Sequence, residues 1–397
     1  MGSMSKQTIL GLVGYLFIGT AVVLMPSVMP FITAELKAEG LSLAMIGLLF
    51  PAGAVGGILG NLLAGLGSDI VGRRRLVWIS AVLLAIALSL ASLSRLWVLF
   101  LVSYVVTSAT QSSLSTGINA LIADANRQAR ARALNILHGV YGVGAAISPL
   151  IFGYLLDRNL PWRWALGGTG LIWLIYGAAA YYFTRGEDAA EQIAGRQKLD
   201  LGMLRQLPFL ALFAIGFIYN GVAVSLLGWV AVFMKQSAGA STLFSVSMIS
   251  VFYLALTLGR FLCAFFSEPL GYARTLLILA IGITLTYPLV IFGIDSWLIV
   301  AGVFLTGLSL SGLFPTILAY GSRLYHEQSG TVSGTLSIAL TLGSMIPPLW
   351  TGVIAEQWSF QGALAVNYLL VLPMIGLAVY LGKKERGSEQ LMVRASQ

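Results

Sequence analysis

The feature that most constrains this chain is a series of twelve apolar runs, separated by short gaps that hold nearly all of its charge. The runs fall near 8–34, 43–67, 76–93, 96–122, 133–157 and 163–184, then 207–234, 242–267, 273–293, 296–321, 330–355 and 361–382. A hydrocarbon layer about 30 Å thick takes roughly 20 apolar residues per helix, so twelve passes consume most of the length. With 58% hydrophobic and only 10% charged residues, the chain carries more apolar surface than a water-soluble core could hide. Lipid is its solvent, and in lipid each backbone polar group must be satisfied within its own segment, which makes every run a helix. The expected fold is an all-α polytopic membrane protein with twelve transmembrane helices in two pseudo-symmetric six-helix bundles.

The formal charge of +8 has to be read by position. Numbering the passes alternately puts seventeen of the 23 Lys and Arg residues on one face, among them Arg73 to Arg75, Arg127, Arg130, Arg185, Lys198 and Lys383. Five fall on the other face (Lys37, Arg95, Arg158, Arg163 and Lys235), and Arg260 lies inside a pass. That asymmetry sets both termini on the cytoplasmic side of a bacterial inner membrane. It also accounts for the basic balance without nucleic acid as a partner. The longest polar stretch, 185–206, divides the chain into an N-terminal bundle (1–184), a cytoplasmic linker and a C-terminal bundle (207–397). The single cysteine, Cys263, excludes an intramolecular disulfide.

The halves repeat with a shift of 199 residues. Gly60, Ser68, Asp69, Gly72 and Arg75 fall on Gly259, Ser267, Glu268, Gly271 and Arg274, while Gly144, Pro149, Gly153 and Asp157 fall on Gly343, Pro348, Gly352 and Glu356. Acid on acid and proline on proline in one register, across two distant regions, mark parallel repeats.

The loop after the second run reads Gly65-Leu-Gly-Ser-Asp69-Ile-Val-Gly72-Arg73-Arg74-Arg75. On this motif and its echo at Glu268, the chain resembles the major facilitator superfamily. That resemblance implies a secondary transporter and a cytoplasmic latch made by Asp69, Arg73, Glu268 and Arg274; topogenic charge alone would explain the arginines but not Asp69. In the fifth run, Asn135-Ile-Leu-His138-Gly139-Val-Tyr141-Gly142-Val-Gly144-Ala-Ala-Ile-Ser-Pro149 combines close-packing small residues with a proline that frees a carbonyl. Pro149 and its repeat mate Pro348 are therefore candidate bending points in gating. This run resembles the sugar-permease branch that includes fucose permease, as do Tyr219-Asn220-Gly221, Leu258-Gly259-Arg260 and Gly312-Leu-Phe-Pro315-Thr316.

The chain departs from that branch in its acids. Where related members carry embedded carboxylates, the matching positions are Ala223 and Ser115, and Asp69, Asp124, Asp157, Glu268, Asp295 and Glu356 all sit at expected helix ends. A coupling proton is thereby left open as a partner. Arg260 lies eight residues before Glu268, about 12 Å along a helix, and such a charge costs at least about 2.5 kcal/mol unless paired or hydrated. It is either an anchor for a polar or anionic substrate or a gate residue that bonds carbonyls or Glu268. The fourth run is unusually polar, and at helical spacing Tyr104, Ser108, Gln111, Ser115 and Asn119 share one stripe that suits a cavity wall. Helix–helix hydrogen bonding is the competing reading for its smaller residues. Asn220, Trp229 and Tyr253 are the candidates of the second half, an aromatic ring there stacking on a sugar face or simply packing. His138 could titrate between pH 5 and 8 or serve structurally.

Catalytic, metal-ligating and cofactor-binding patterns are absent from this reading, so the chain is expected not to be an enzyme. The expected function is secondary active or facilitative transport of a small polar solute, a sugar or related metabolite, by alternating access in a monomer surrounded by membrane lipids. The alternatives are a small organic anion held by Arg260, drug efflux, and a membrane receptor or lipid-handling scaffold.

Overall fold

The computed structural model describes residues 6–126, 130–184, 202–325 and 329–395. These form fourteen α-helices, one 3-10 turn at Gly202–Arg205 and no strand. The helices are α1 (Lys6–Ala38), α2 (Leu43–Gly47), α3 (Leu49–Val71), α4 (Arg73–Leu93), α5 (Trp97–Ala125), α6 (Arg130–Asp157) and α7 (Trp162–Thr184). They continue with α8 (Leu207–Gln236), α9 (Thr242–Leu270), α10 (Tyr272–Phe292), α11 (Ser296–Leu310), α12 (Leu313–Leu324), α13 (Ser329–Gln357) and α14 (Phe360–Ala395). Counting α2 with α3 and α11 with α12, eleven passes are long and apolar enough to cross a membrane. The twelfth is α7, whose 23 residues include Arg163 and several glycines that lower its hydropathy.

Two runs that read as single helices are broken, and proline explains both. Pro51 and Pro315 are each the third residue of the helix that follows the break. A proline has no N–H to give the carbonyl four residues back, and the first turn of a new helix is where that loss is tolerated. The ladder resumes at once, from Ala52 N to Leu48 O at 3.0 Å and from Thr316 N to Gly312 O at 3.1 Å. Pro149 and Pro348, in contrast, lie inside the continuous helices α6 and α13.

The chain divides into two compact units: Met1–Ser42, Leu48–Arg196 and Ser241–Ser250 make the first, and Leu43–Gly47, Gln197–Ala240 and Val251–Gln397 the second. Most of the expected linker, 185–201, lies outside the described residues. In unit 1, α1 packs along α6, α3 along α5, and α4 along α5 and α7; in unit 2, α8 packs along α13, and α10 along α11 and α14. Glycine lets helices approach to backbone contact in both units. A Cβ on Gly60 would stand 2.7 Å from the Ala109 carbonyl carbon and nearer still to its oxygen, and one on Gly259 would stand 2.7 Å from the Leu308 carbonyl oxygen. Both the glycines and the carbonyls are 199 residues apart, so the repeat holds at the level of contacts. Gly72 and Gly271, which precede α4 and α10, share φ of 81° and 84°, a left-handed conformation that favours glycine.

The acids at helix ends do backbone work. Asp295 accepts from the N–H groups of Trp297 (2.8 Å) and Leu298 (2.9 Å) at the start of α11. In unit 2 Glu356 accepts from Leu43 N–H at 2.6 Å, the first residue of α2. In unit 1 its repeat mate Asp157 faces Leu243 N–H at 3.4 Å, in the first turn of α9. Carboxylates so placed complement the positive end of a helix and satisfy donors that have no partner within it.

Candidate functional site

In unit 1 the polar side chains of three helices converge on Tyr15 of α1, which is 3% exposed. Gly11 and Gly14 keep this face of α1 bare enough for α5 and α7 to come close. The Tyr15 hydroxyl shares a hydrogen bond of 2.9 Å with Ser115 Oγ and accepts another from Asn119 Nδ2. Asn119 Nδ2 also reaches back to the Ser115 carbonyl at 2.9 Å, which fixes its rotamer on α5. His138 of α6 meets the Tyr15 ring edge-on with centroids 5.3 Å apart, and Tyr141 lies 6.3 Å from it. The imidazole is itself exposed, so the cluster runs from a buried phenol to an open polar edge. Two hydroxyls, one amide and one imidazole offer both donors and acceptors, a set that suits hydroxyl groups on a neutral solute.

The stripe on α5 does not act as one wall. Tyr104 hydrogen-bonds Ser108 and lies against Gly53 of α3, where a Cβ would be 3.1 Å from its ring. Ser115 and Asn119 face α1 instead, and half-buried Gln111 stands between the two ends. Straight helical spacing places the five residues together, but α5 packs on α3 at one end and on α1 at the other.

In unit 2 Arg260 of α9 is exposed, and its guanidinium lies near the Tyr219 hydroxyl of α8. Tyr219 is 7% exposed, so its ring is anchored while the guanidinium keeps further donors available. This neighbour is neither Glu268 nor a backbone carbonyl, the two considered from the sequence. Asn220 and Trp229 are used in packing: Asn220 Nδ2 donates to Leu340 O at 2.6 Å, and Trp229 Nε1 donates to Pro348 O at 2.9 Å. Trp229 is fully buried, tilted against Phe360, and gives no open face for a sugar to stack on. Tyr253 is 8% exposed beside Phe252.

Of the expected latch, the side chain of Asp69 lies outside the described residues. Arg73 pairs with Asp124 at the end of α5, a contact within unit 1. Glu268 and Arg274 are exposed near the α9–α10 junction. Tyr15 is the residue that sequence reasoning missed; its signal is a tyrosine amid glycines in the middle of an apolar pass.

Apolar helices repeated in two halves define a polytopic membrane protein. The sequence pattern of the Major Facilitator Superfamily matches residues 11–294 and again 213–391, and the chain belongs to that family. It is 25% identical over 372 residues to the uncharacterised MFS-type transporter YfkL of Bacillus subtilis strain 168, covering 90% of this chain and 91% of YfkL. It is 22% identical over 319 residues to the glucose/mannose transporter GlcP of the same organism, covering 77% of this chain and 78% of GlcP. Among solved structures, a mutant of the nucleoside transporter NupG superposes with a TM-score of 0.78 at 11% identity, covering 95% of this chain and 100% of that one.

Proposed function

We propose that this chain carries a neutral, hydroxyl-rich solute of the sugar class across a bacterial inner membrane, as a monomer with both termini in the cytoplasm. The observation that carries the reading is the Tyr15–Ser115–Asn119–His138 cluster, a set of donors and acceptors without a carboxylate inside membrane-spanning helices. Similarity to GlcP, named as a glucose/mannose transporter, supports the same solute class. The orientation rests on the asymmetry of Lys and Arg between the two faces. Uptake of radiolabelled glucose and mannose into proteoliposomes, competed with unlabelled sugars, nucleosides and monocarboxylates, tests it. Saturable uptake competed by sugars is expected; competition by carboxylates alone would overturn it.

A second reading has an observation of its own. Arg260 is exposed within a pass and lies near Tyr219, which suits a small organic anion. On that reading Arg260→Ala abolishes carboxylate binding and Arg260→Lys keeps part of it. On the sugar reading both variants keep sugar affinity, since Arg260 is no part of the Tyr15 cluster.

A further inference from the structure

A groove of about 500 Å³ runs along the outside of unit 1 between α1 and α7, away from the polar cluster. Its walls are Ile9, Val13 and Phe17 on one side and Ile172, Ile175 and Phe183 on the other, and Tyr176 closes its floor. The floor is sealed: Tyr176 is 4% exposed and its hydroxyl reaches Leu10 O at 3.2 Å, so it offers no spare polar group. Gly14 makes the seal possible, because a Cβ there would overlap the Tyr176 ring at 2.7 Å. The walls turn outward, with Ile9 49%, Ile175 62% and Phe183 53% exposed. Lys6, the one charged residue lining the groove, stands at its mouth and is itself exposed.

We propose that this groove binds one phospholipid of anionic headgroup, an acyl chain lying between α1 and α7 and the phosphate on the Lys6 ammonium. Water finds no hydrogen-bond partners along such walls, and a polar solute would be stripped of its own. An acyl chain loses nothing there. Lys6 stands at the start of the first pass, on the face that collects most of the basic residues, and a lysine at that depth attracts anionic lipid. The charge and the apolar trough select the two ends of one molecule. This site is independent of the solute proposed above.

Native mass spectrometry of the full chain, with phosphatidylglycerol or phosphatidylethanolamine added to the detergent-solubilised protein, tests the assignment. One phosphatidylglycerol is expected to bind more tightly than phosphatidylethanolamine. Lys6→Ala should lower the phosphatidylglycerol affinity about fivefold, the effect of one lysine near anionic headgroups, and that of phosphatidylethanolamine, whose phosphate is offset by its own ammonium, by less. Val13→Trp, which fills the trough, should reduce retention of both lipids, and Ile175→Trp on the opposite wall provides the same test should the first variant fold poorly. Equal binding of the two lipids in wild type, or full retention in both tryptophan variants, would overturn the proposal. So would a dimer of the chain abolished by those variants, which would give the groove to a second copy.

Discussion

Adding one methyl group should destabilise the protein most at Gly60, less at Gly259 and not at all at Gly57. At Gly60 the new Cβ would meet the carbonyl carbon, oxygen and Cα of Ala109, all backbone, so α3 would have to leave α5 by roughly 1.5 Å to restore ordinary contact. At Gly259 the Cβ would meet the Leu308 carbonyl oxygen at 2.7 Å and the Ser311 side chain, and a shift of about 0.7 Å suffices if Ser311 turns away. At Gly57, one turn from Gly60, the only neighbour within 4 Å is Ser112 Oγ at 3.3 Å, which can yield. Overpacking of this kind costs about 1–3 kcal/mol; Gly60→Ala belongs at or above the top of that range, Gly259→Ala in the middle, and Gly57→Ala near zero or stabilising. Fluorescence-monitored melting in one detergent gives the order, at about 2–4 °C per kcal/mol. Because Ser311 Oγ is part of the clash, adding Ser311→Ala to Gly259→Ala should recover part of the loss, whereas no side-chain truncation can relieve Gly60→Ala. If Gly60→Ala melts with Gly57→Ala, the seam is not held at backbone contact and the reasoning fails.

Two further outcomes follow from the hydrogen bonds. Tyr15→Phe removes both bonds to its hydroxyl and should cost about 0.6–1.7 kcal/mol of stability, the range for helix–helix bonds in membranes. If the cluster holds solute, it should also weaken sugar binding by about 1–3 kcal/mol; calorimetric titration showing full affinity in a destabilised variant would assign Tyr15 to packing alone. Glu356→Ala leaves Leu43 N–H without its acceptor and should cost about 1 kcal/mol, as removal of a helix cap does. Glu356→Gln keeps an acceptor and loses only the charge against the helix end, about 0.3–1 kcal/mol, so melting temperatures should fall in the order wild type, Gln, Ala, and an Ala variant matching wild type would refute the cap.

What could be read beforehand was whatever depends on residue type at a fixed spacing. Apolar length gave twelve passes, and the shift of 199 paired Gly60 with Gly259, Gly72 with Gly271 and Asp157 with Glu356, pairs that the structure places in matching conformations and contacts. The breaks before Pro51 and Pro315 were visible as prolines, yet an apolar run alone does not say whether a proline bends a helix or starts a new one. What depends on which helix crosses which was not legible. Tyr15 and Ser115 are 100 residues apart in sequence, and only the crossing of α1 and α5 makes them partners. Residue type alone left Trp229 between stacking on a solute and simple packing; the bond from its indole to Pro348 O is a fact of α13, not of α8.

The distribution of charge bears on how such a carrier is driven. The described carboxylates sit at the ends of the apolar runs or beyond them, and several have work there: Asp124 with Arg73, Glu35 with Arg163 at 2.8 Å, Glu356 and Asp295 at helix starts. Away from the ends of the apolar runs, the described ionisable groups other than tyrosine and cysteine are Arg260 and His138. Arg260 is exposed and can attract an anion. His138 touches the phenol at the centre of the proposed solute cluster. On the proposed reading a neutral sugar brings no proton of its own, so among the described residues of that cluster His138 is where proton coupling is to be tested.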